Sequence, residues 1–273
     1  MEFQGYNLLG LNTKGGVPER PWFAVERDLT LHFYSEQTAP RPVVFEEMAR
    51  LYAENQYVDS NGLVNPFDNR YLKGGGHFCR DTAWFESMLQ REGARLLVAS
   101  DSSGVVTGYS LFFTNPETFP AFAAECLRYR HIPGVEKFAY TYLLIVDEAV
   151  RRLGLATQIF EAELKICGAE DCDFVAHELF MAPVPNAASL GWHAALAKTK
   201  GAFFPGICAS HIIERAAGGE PAQVQYCHVL IPTAGRGFCA DEVGQLRFSR
   251  NGRLYAPISR RALEHGGGCK AEA

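Results

Sequence analysis

Arg151, Arg152 and Gly154 stand where an apolar run gives way to a helical pattern, in VDEAVRRLGLATQIFEAEL (146–164). The first turn of a helix leaves backbone N–H groups without intrahelical acceptors, and the aligned peptide dipoles make that end attractive to anions. A glycine there lets the backbone approach a phosphate closely, and adjacent arginines add countercharge. These residue types suit a diphosphate. Taken alone, the four residues RRLG fit an exposed turn with a flexible glycine equally well.

The elements around this stretch would have to position it. KFAYTYLLIV (137–146) is the most strand-like run in the chain and is apolar on both faces near its end, as a buried central strand requires. After the loop, Leu155, Ile159, Ala162 and Ile166 fall on one side of a helix, with Ala156, Phe160, Leu164 and Cys167 beside them. DFVAHELFM (173–181) then reads as another strand. Strand, helix and strand in this order predict a parallel or splayed strand pair. The surrounding pattern is antiparallel: DLTLHFY (28–34) alternates, ARLLVAS (94–100) and VVTGYSLFFT (105–114) flank a DSSG turn, and QVQYCHVLI (223–231) alternates again. The fold class expected is a mixed, mostly antiparallel α/β sheet flanked by helices.

Further helices are expected over 43–55, 81–92, 186–198 and, after a turn, within 115–130; a strand segment starts at GAFFPG, and LRFS pairs with RLYAPI across Asn251-Gly252. Residues 1–25 read as an irregular lead-in, 59–76 as an insertion rich in turn residues, and the end of the chain as a tail. Gly74 to Gly76 do not make a phosphate loop, because no Lys-Ser or Lys-Thr pair follows at the required spacing.

Of the 273 residues 47% are hydrophobic and 21% charged, enough for a sizeable core. A net charge of −5 gives no support to nucleic acid or an anionic membrane as partner. Eight cysteines contain no C-x-x-C pair, and eight histidines show no ligand spacing, so no metal is expected. No run spans a bilayer and the N-terminus lacks the form of a signal peptide, which makes the cytoplasm the expected location.

The series Arg151, Gly154, Ala156, read as R-x-x-G-x-A after a strand, resembles the coenzyme A loop [QR]-x-x-G-x-[GA] of the GNAT superfamily of acyl-CoA-dependent N-acetyltransferases. Asn186 opening NAASLGWHAALAKTKG, followed by Gly201-Ala202-Phe203, is similar to that family's N-x-x-A helix closed by a Gly-aromatic strand. The hairpin around Ser102 to Gly104, with Gly108, is similar to its second and third strands. The resemblance covers 94–232 and, through 28–55, the core of a domain over 26–232 with insertions at 59–76 and 115–130; residues 1–25 and 233–273 fall outside it. Two departures stand out. The segment from Asn186 to Gly201 is about one helical turn longer than usual, and 115–130 lengthens the connection before the central strand.

The resemblance implies a GNAT-like fold with acetyl-CoA as acyl donor. Its diphosphate would lie on the amides of Arg152, Leu153, Gly154, Leu155 and Ala156, beside Arg151 and Asn186. Its thioester arm would run along the strand ending at Val146, where backbone N–H groups near Leu144 and Val146 meet the thioester oxygen. A base is needed to deprotonate the attacking amine. Glu178 and His177 are on one flanking strand and Tyr140 and Tyr142 on the other; alternation forbids both Glu178 and His177 from facing the cleft, and Glu178 is preferred. His193, seven residues after Asn186, takes the place of the usual tyrosine acid and would donate if partly protonated. The acceptor expected is the primary amine of a small polar molecule, with a protein lysine or a non-catalytic acyl-CoA-binding role as alternatives and homodimerisation left open.

Overall fold

A computed structural model describes residues 4–5, 13–14, 24–25, 29–55, 80–118, 132, 134–182, 187–200, 203–213, 222–233, 237–240 and 246–249. The first strands are β1 (Gln4–Gly5), β2 (Thr13–Lys14), β3 (Ala24–Val25) and β4 (Leu29–Ser35), followed by helices α1 (Pro42–Glu54) and α2 (Thr82–Leu89). Next come β5 (Ala94–Ser100), β6 (Val106–Phe113), β7 (Phe138–Val146), helix α3 (Leu155–Ala169), β8 (Phe174–Ala182) and helix α4 (Ala187–Lys200). The series closes with β9 (Phe203–Ile213), β10 (Ala222–Pro232), β11 (Gly237–Ala240) and β12 (Leu246–Ser249). One eight-stranded sheet has the order β3-β4-β5-β6-β7-β8-β10-β9, and β1-β2 and β11-β12 form separate pairs.

Every neighbouring pair in the large sheet is antiparallel except β7 and β8, which α3 connects and which run parallel. Their pairing covers Phe138↔Phe174 to Thr141↔His177 and then stops, although β7 continues to Val146 and β8 to Ala182. Each strand is held by its other neighbour over that stretch. Residues 143–146 of β7 stay in register with β6, and Glu178 and Leu179 of β8 stay opposite His228 and Cys227 of β10. A register shift explains where the two part company: Leu111 faces Leu143 while Phe112 faces Thr141, leaving Tyr142 as a bulged residue. A bulge bends its strand and increases the local twist. The pair therefore forks one residue after Thr141.

Both sheet faces are covered. On one, α3 buries Leu155, Ile159, Phe160, Ala162 and Ile166 against Leu97, Phe112, Ala139, Val175 and Val229. On the other, Phe45, Met48 and Leu51 of α1 and Phe85 and Met88 of α2 pack on Leu96, Tyr109, Leu111 and Phe113. Burying each such side chain is worth about 1.5–3 kcal/mol. Pro42 starts α1 where its missing N–H costs nothing, and Asp81 caps α2 by accepting from the Trp84 N–H at 2.8 Å. This is the mixed, mostly antiparallel, splayed α/β sheet that the sequence pattern leads one to expect.

LRFS forms β12 and pairs with β11, with Phe238 opposite Phe248; its expected partner RLYAPI, across Asn251-Gly252, lies outside the described residues, as do residues 59–76. Within 115–130 the described part is a single 3-10 turn at Pro116–Thr118, and the helix expected after it lies outside the described residues.

An ion cluster fixes the C-terminal end of α3. Arg95 of β5, 5% exposed, donates to Glu170 at 2.7 and 3.2 Å and also pairs with Glu36, while the Thr114 hydroxyl donates to Glu170 at 2.6 Å. Removing the cation from such a group leaves a nearly buried carboxylate uncompensated, so Arg95→Ala is expected to cost about 3–5 kcal/mol in urea unfolding. A loss under about 1 kcal/mol, the range of exposed pairs, would show that the cluster is not a structural tie.

Candidate active site

The loop after β7 is built from short-range bonds. Asp147 donates its N–H to the Thr107 carbonyl at 2.8 Å, and its carboxylate accepts from the Ala149 N–H at 2.8 Å, starting a 3-10 turn over Glu148–Val150. Val150 is buried and anchors the turn. Arg152 and Gly154 then adopt left-handed backbone, φ 66° and 84°, and α3 begins with Gly154 as an N-cap that has no side chain to offer. For an arginine that conformation costs about 1–2 kcal/mol. Arg152, Leu153 and Gly154 are exposed, so the first-turn amides of α3 open outward. A Cβ at Gly154 would meet no protein atom within 4 Å. The glycine thus serves its φ, and a side chain there would project into the space an anion would take.

Arg151 is bonded within the protein. Its Nε donates to the Val146 carbonyl at 3.0 Å and its guanidinium bonds the Asn55 side chain, which in turn donates to Leu51 O at 2.7 Å. It ties the end of β7 to the end of α1, and Arg152 is the exposed cation at the helix mouth. Ala156 is half-buried at the start of α3, behind Leu155, which is 3% exposed and part of the core. Asn186 lies outside the described residues.

Strand alternation orients the fork. Asp147 bonds β6 through its N–H, and polar groups alternate sides along an extended strand, so the amides of Ile145 and Asp147 face β6. Those of Leu144 and Val146 face the opening between β7 and β8. The Val146 carbonyl, on that same side, is the one Arg151 takes.

Tyr142 and Glu178 come together on the face of α1 and α2. The bulge puts Tyr142 against Trp84, with ring centroids 5.6 Å apart, and Arg80 donates to the Tyr142 hydroxyl at 2.8 Å while lying 4.3 Å over the Trp84 ring. Burial raises the Tyr142 pKa; Arg80 opposes this and the Glu178 charge adds to it. The phenol is therefore protonated at neutral pH. Glu178, with 23% of its side chain exposed, accepts from the fully buried His228 imidazole at 3.3 Å, directly across from it in the β8–β10 register. His228 also meets the Tyr140 ring edge-on at 6.2 Å. Sequence reasoning missed His228, Arg80 and Trp84. Alternation along QVQYCHVLI assigns His228 to a face, but only the register puts it opposite Glu178.

His177 and His193 are on the other face, under α3 and α4. His193, 2% exposed, bonds His177 at 3.0 Å through Nε2 and the Ser189 carbonyl at 2.8 Å through Nδ1. Burial holds the His193 pKa down to about 4 and that of His177 well below its usual value. This removes the partly protonated donor that the sequence suggested at His193: desolvation outweighs the one backbone bond that favours the cation. Glu163, also missed, touches the same group. A carboxylate inside the apolar stripe of α3 was its signal.

Among the described residues no group of three His, Cys, Asp or Glu side chains could hold a metal ion, and no helix is long and apolar enough to cross a membrane.

No family model matches the chain, and no curated protein matches it. Solved structures do. The chain is similar to the ribosomal-protein-S18-alanine N-acetyltransferase from Escherichia coli (11% identity, TM-score 0.45, 78% of this chain and 98% of that one). It is also similar to Chaetomium thermophilum Naa20 in complex with a bisubstrate analogue (14%, 0.47, 75% and 86%) and to an N-acetyltransferase from Staphylococcus aureus Mu50 (14%, 0.43, 73% and 97%).

Because the folded-state pKa of His193 is depressed, its contribution to stability is complete above the unfolded value of 6.5 and is lost as pH falls through about 4. Chemical unfolding of the wild type at pH values across that window is expected to show a steeper acid-side loss than His193→Gln. Parallel curves would mean that the ring is already charged in the folded protein.

Proposed function

We propose that the chain is a GNAT-type N-acyltransferase that moves an acetyl group from acetyl-CoA to the primary amine of a small polar molecule by direct attack. One observation carries this reading: a parallel strand pair that forks beyond Thr141↔His177, with β7 leading straight into a helix mouth of left-handed Arg152 and Gly154. Outward amides suit a diphosphate, and the gap beyond the fork suits an extended arm that bonds strand edges.

The amides of Arg152, Leu153, Gly154, Leu155 and Ala156, with the Arg152 cation, hold the diphosphate; Asn186 is assigned to the same end. Leu144 and Val146 present N–H groups to the thioester oxygen as it gains charge, an effect worth about 3 kcal/mol per donor. Glu178 takes the proton that the attacking ammonium must lose, and His228 fixes the orientation of its carboxylate. Tyr142 keeps its proton through burial and gives it to the departing thiolate, so the amide C–N bond forms as the C–S bond breaks. Tyr142 thereby replaces His193 as the acid. Arg80 holds the Tyr142 hydroxyl and, stacked on Trp84, walls the acceptor side, which favours a small amine over a protein chain.

Calorimetric titration with acetyl-CoA and thiol release against a panel of small amines and lysine peptides test this together. Binding with release only for small amines is expected; binding without release under any condition would make the chain a non-catalytic acyl-CoA-binding protein. Gly154→Val should abolish binding. Glu178→Gln should lower kcat by about 10²–10⁴-fold with little change in acetyl-CoA affinity, the usual weight of a general base. Unchanged turnover in Glu178→Gln would remove it from the mechanism.

A further inference from the structure

Five buried polar side chains gather under the apex of the fork, on the α3 and α4 face. Glu163 of α3 is fully buried; the Ser110 hydroxyl of β6 bonds its Oε2 at 2.6 Å and the Thr141 hydroxyl of β7 bonds its Oε1, and each hydroxyl can donate to a carboxyl oxygen or accept the hydrogen of a neutral one. His177 Nε2 lies 3.9 Å from the same Oε1, too far for a hydrogen bond, and makes no other. Thr141 and His177 are the last opposed residues of β7 and β8. One carboxyl group therefore bonds β6 and β7 and faces His177 of β8 at the point where β7 and β8 separate.

The hydrogen bonds run in one direction. The Ser189 carbonyl, 2.8 Å from His193 Nδ1, can only accept, so Nδ1 carries the hydrogen; the Ser189 hydroxyl at 3.3 Å is the longer contact and can rotate to suit. His193 Nε2 is then an acceptor, and it receives the hydrogen of His177 Nδ1 at 3.0 Å. This leaves a lone pair on His177 Nε2 aimed at Glu163. An ionised carboxylate facing a lone pair in the core would be repelled, whereas a protonated one is compatible with it.

We propose that Glu163 is a positioning residue of the fork: as an uncharged carboxyl group it ties β6 to β7 where β8 parts from β7, and it faces, without repulsion, the lone-pair end of the one-way chain of His177 and His193 that fixes α4 beside the acyl-donor channel. The channel rests on the function proposed above; the tie and the chain do not. Burial raises the Glu163 pKa to about 7, against the Ser110 and Thr141 hydroxyls, which lower it. The other titratable groups facing it are His177 from β8, with His193 of α4 behind, and the Cys167 thiol on α3, whose pKa burial raises well above its usual value. For an acid whose folded-state pKa is raised, the stabilisation is complete below the unfolded value of 4.5 and is lost as pH rises through about 7.

Imidazole nitrogen NMR on the ligand-free protein, near the lower end of that window, reads the chain directly. His177 and His193 are each expected to be neutral with the hydrogen on Nδ1, a pattern that Glu163→Gln, with an amide donor in place of the acid, should preserve. Acetyl-CoA affinity is the second arm. In the wild type it should weaken by about tenfold, equivalent to one unit of pKa coupling, as pH rises through the Glu163 transition, and in Glu163→Gln it should stay flat. A hydrogen on Nε2 of either ring, or a doubly protonated His177 paired with ionised Glu163, overturns the proposal, and so do parallel affinity profiles. If the wild type binds no acetyl-CoA at any pH, the acyl-transfer reading fails while the NMR arm still decides the role of Glu163.

Discussion

A backbone N–H that loses its strand neighbour has to find another acceptor, because leaving it unpaired in a desolvated place costs about 1–3 kcal/mol. The separation of β7 from β8 imposes that demand on two facing strand edges at once. β6 and β10 hold the outer sides of the pair, the Tyr142 bulge turns β7, and what is left is a slot lined by peptide groups with α3 at its end. A slot of this kind is specific for something extended that carries its own amides or carbonyls. The pantetheine arm of coenzyme A has both, which is why the proposed function follows from backbone geometry more than from any side chain.

Much of the remaining structure keeps that slot in place. Arg151 and Asn55 lock the end of β7 to α1, and the Arg95, Glu170 and Glu36 cluster holds the far end of α3. Trp192 of α4 donates to Thr157 of α3 at 3.1 Å, joining the two helices above the sheet. These ties also account for the left-handed Arg152, since a strained residue persists only where its surroundings fix it. The two sides of the sheet then divide their chemistry. The half-buried groups Glu178, Tyr142 and Arg80 lie on the face of α1 and α2; the sealed group of Glu163, His177 and His193 supports the fork from behind.

The parts of this that could be read from the sequence are the local ones. Alternation in ARLLVAS and VTGYSLFF, the apolar run ending at Val146 and the helical spacing of Leu155, Ile159, Ala162 and Ile166 each depend on neighbours within a few residues, and they reproduce β5, β6, β7 and α3 closely. What could not be read depends on register or distance along the chain. Arg151 looked like phosphate countercharge because nothing nearby shows that Asn55, in another helix, would claim it. Tyr142 could be named but not its bulge, Glu178 but not His228 opposite, and His193 looked like a donor until burial beside His177 lowered its pKa. Glu163 went unread although its signal is local: an acid in an apolar stripe asks for partners, and the partners are Ser110 and Thr141.

Amide chemical-shift mapping of the protein during titration with acetyl-CoA reports on the peptide groups themselves and so decides whether the slot and the helix mouth hold the acyl donor. The largest shifts are expected on Leu144, Val146 and residues 152–156, with smaller ones spreading into β8 beyond His177. Saturable binding with shifts elsewhere and those amides unmoved would contradict that placement.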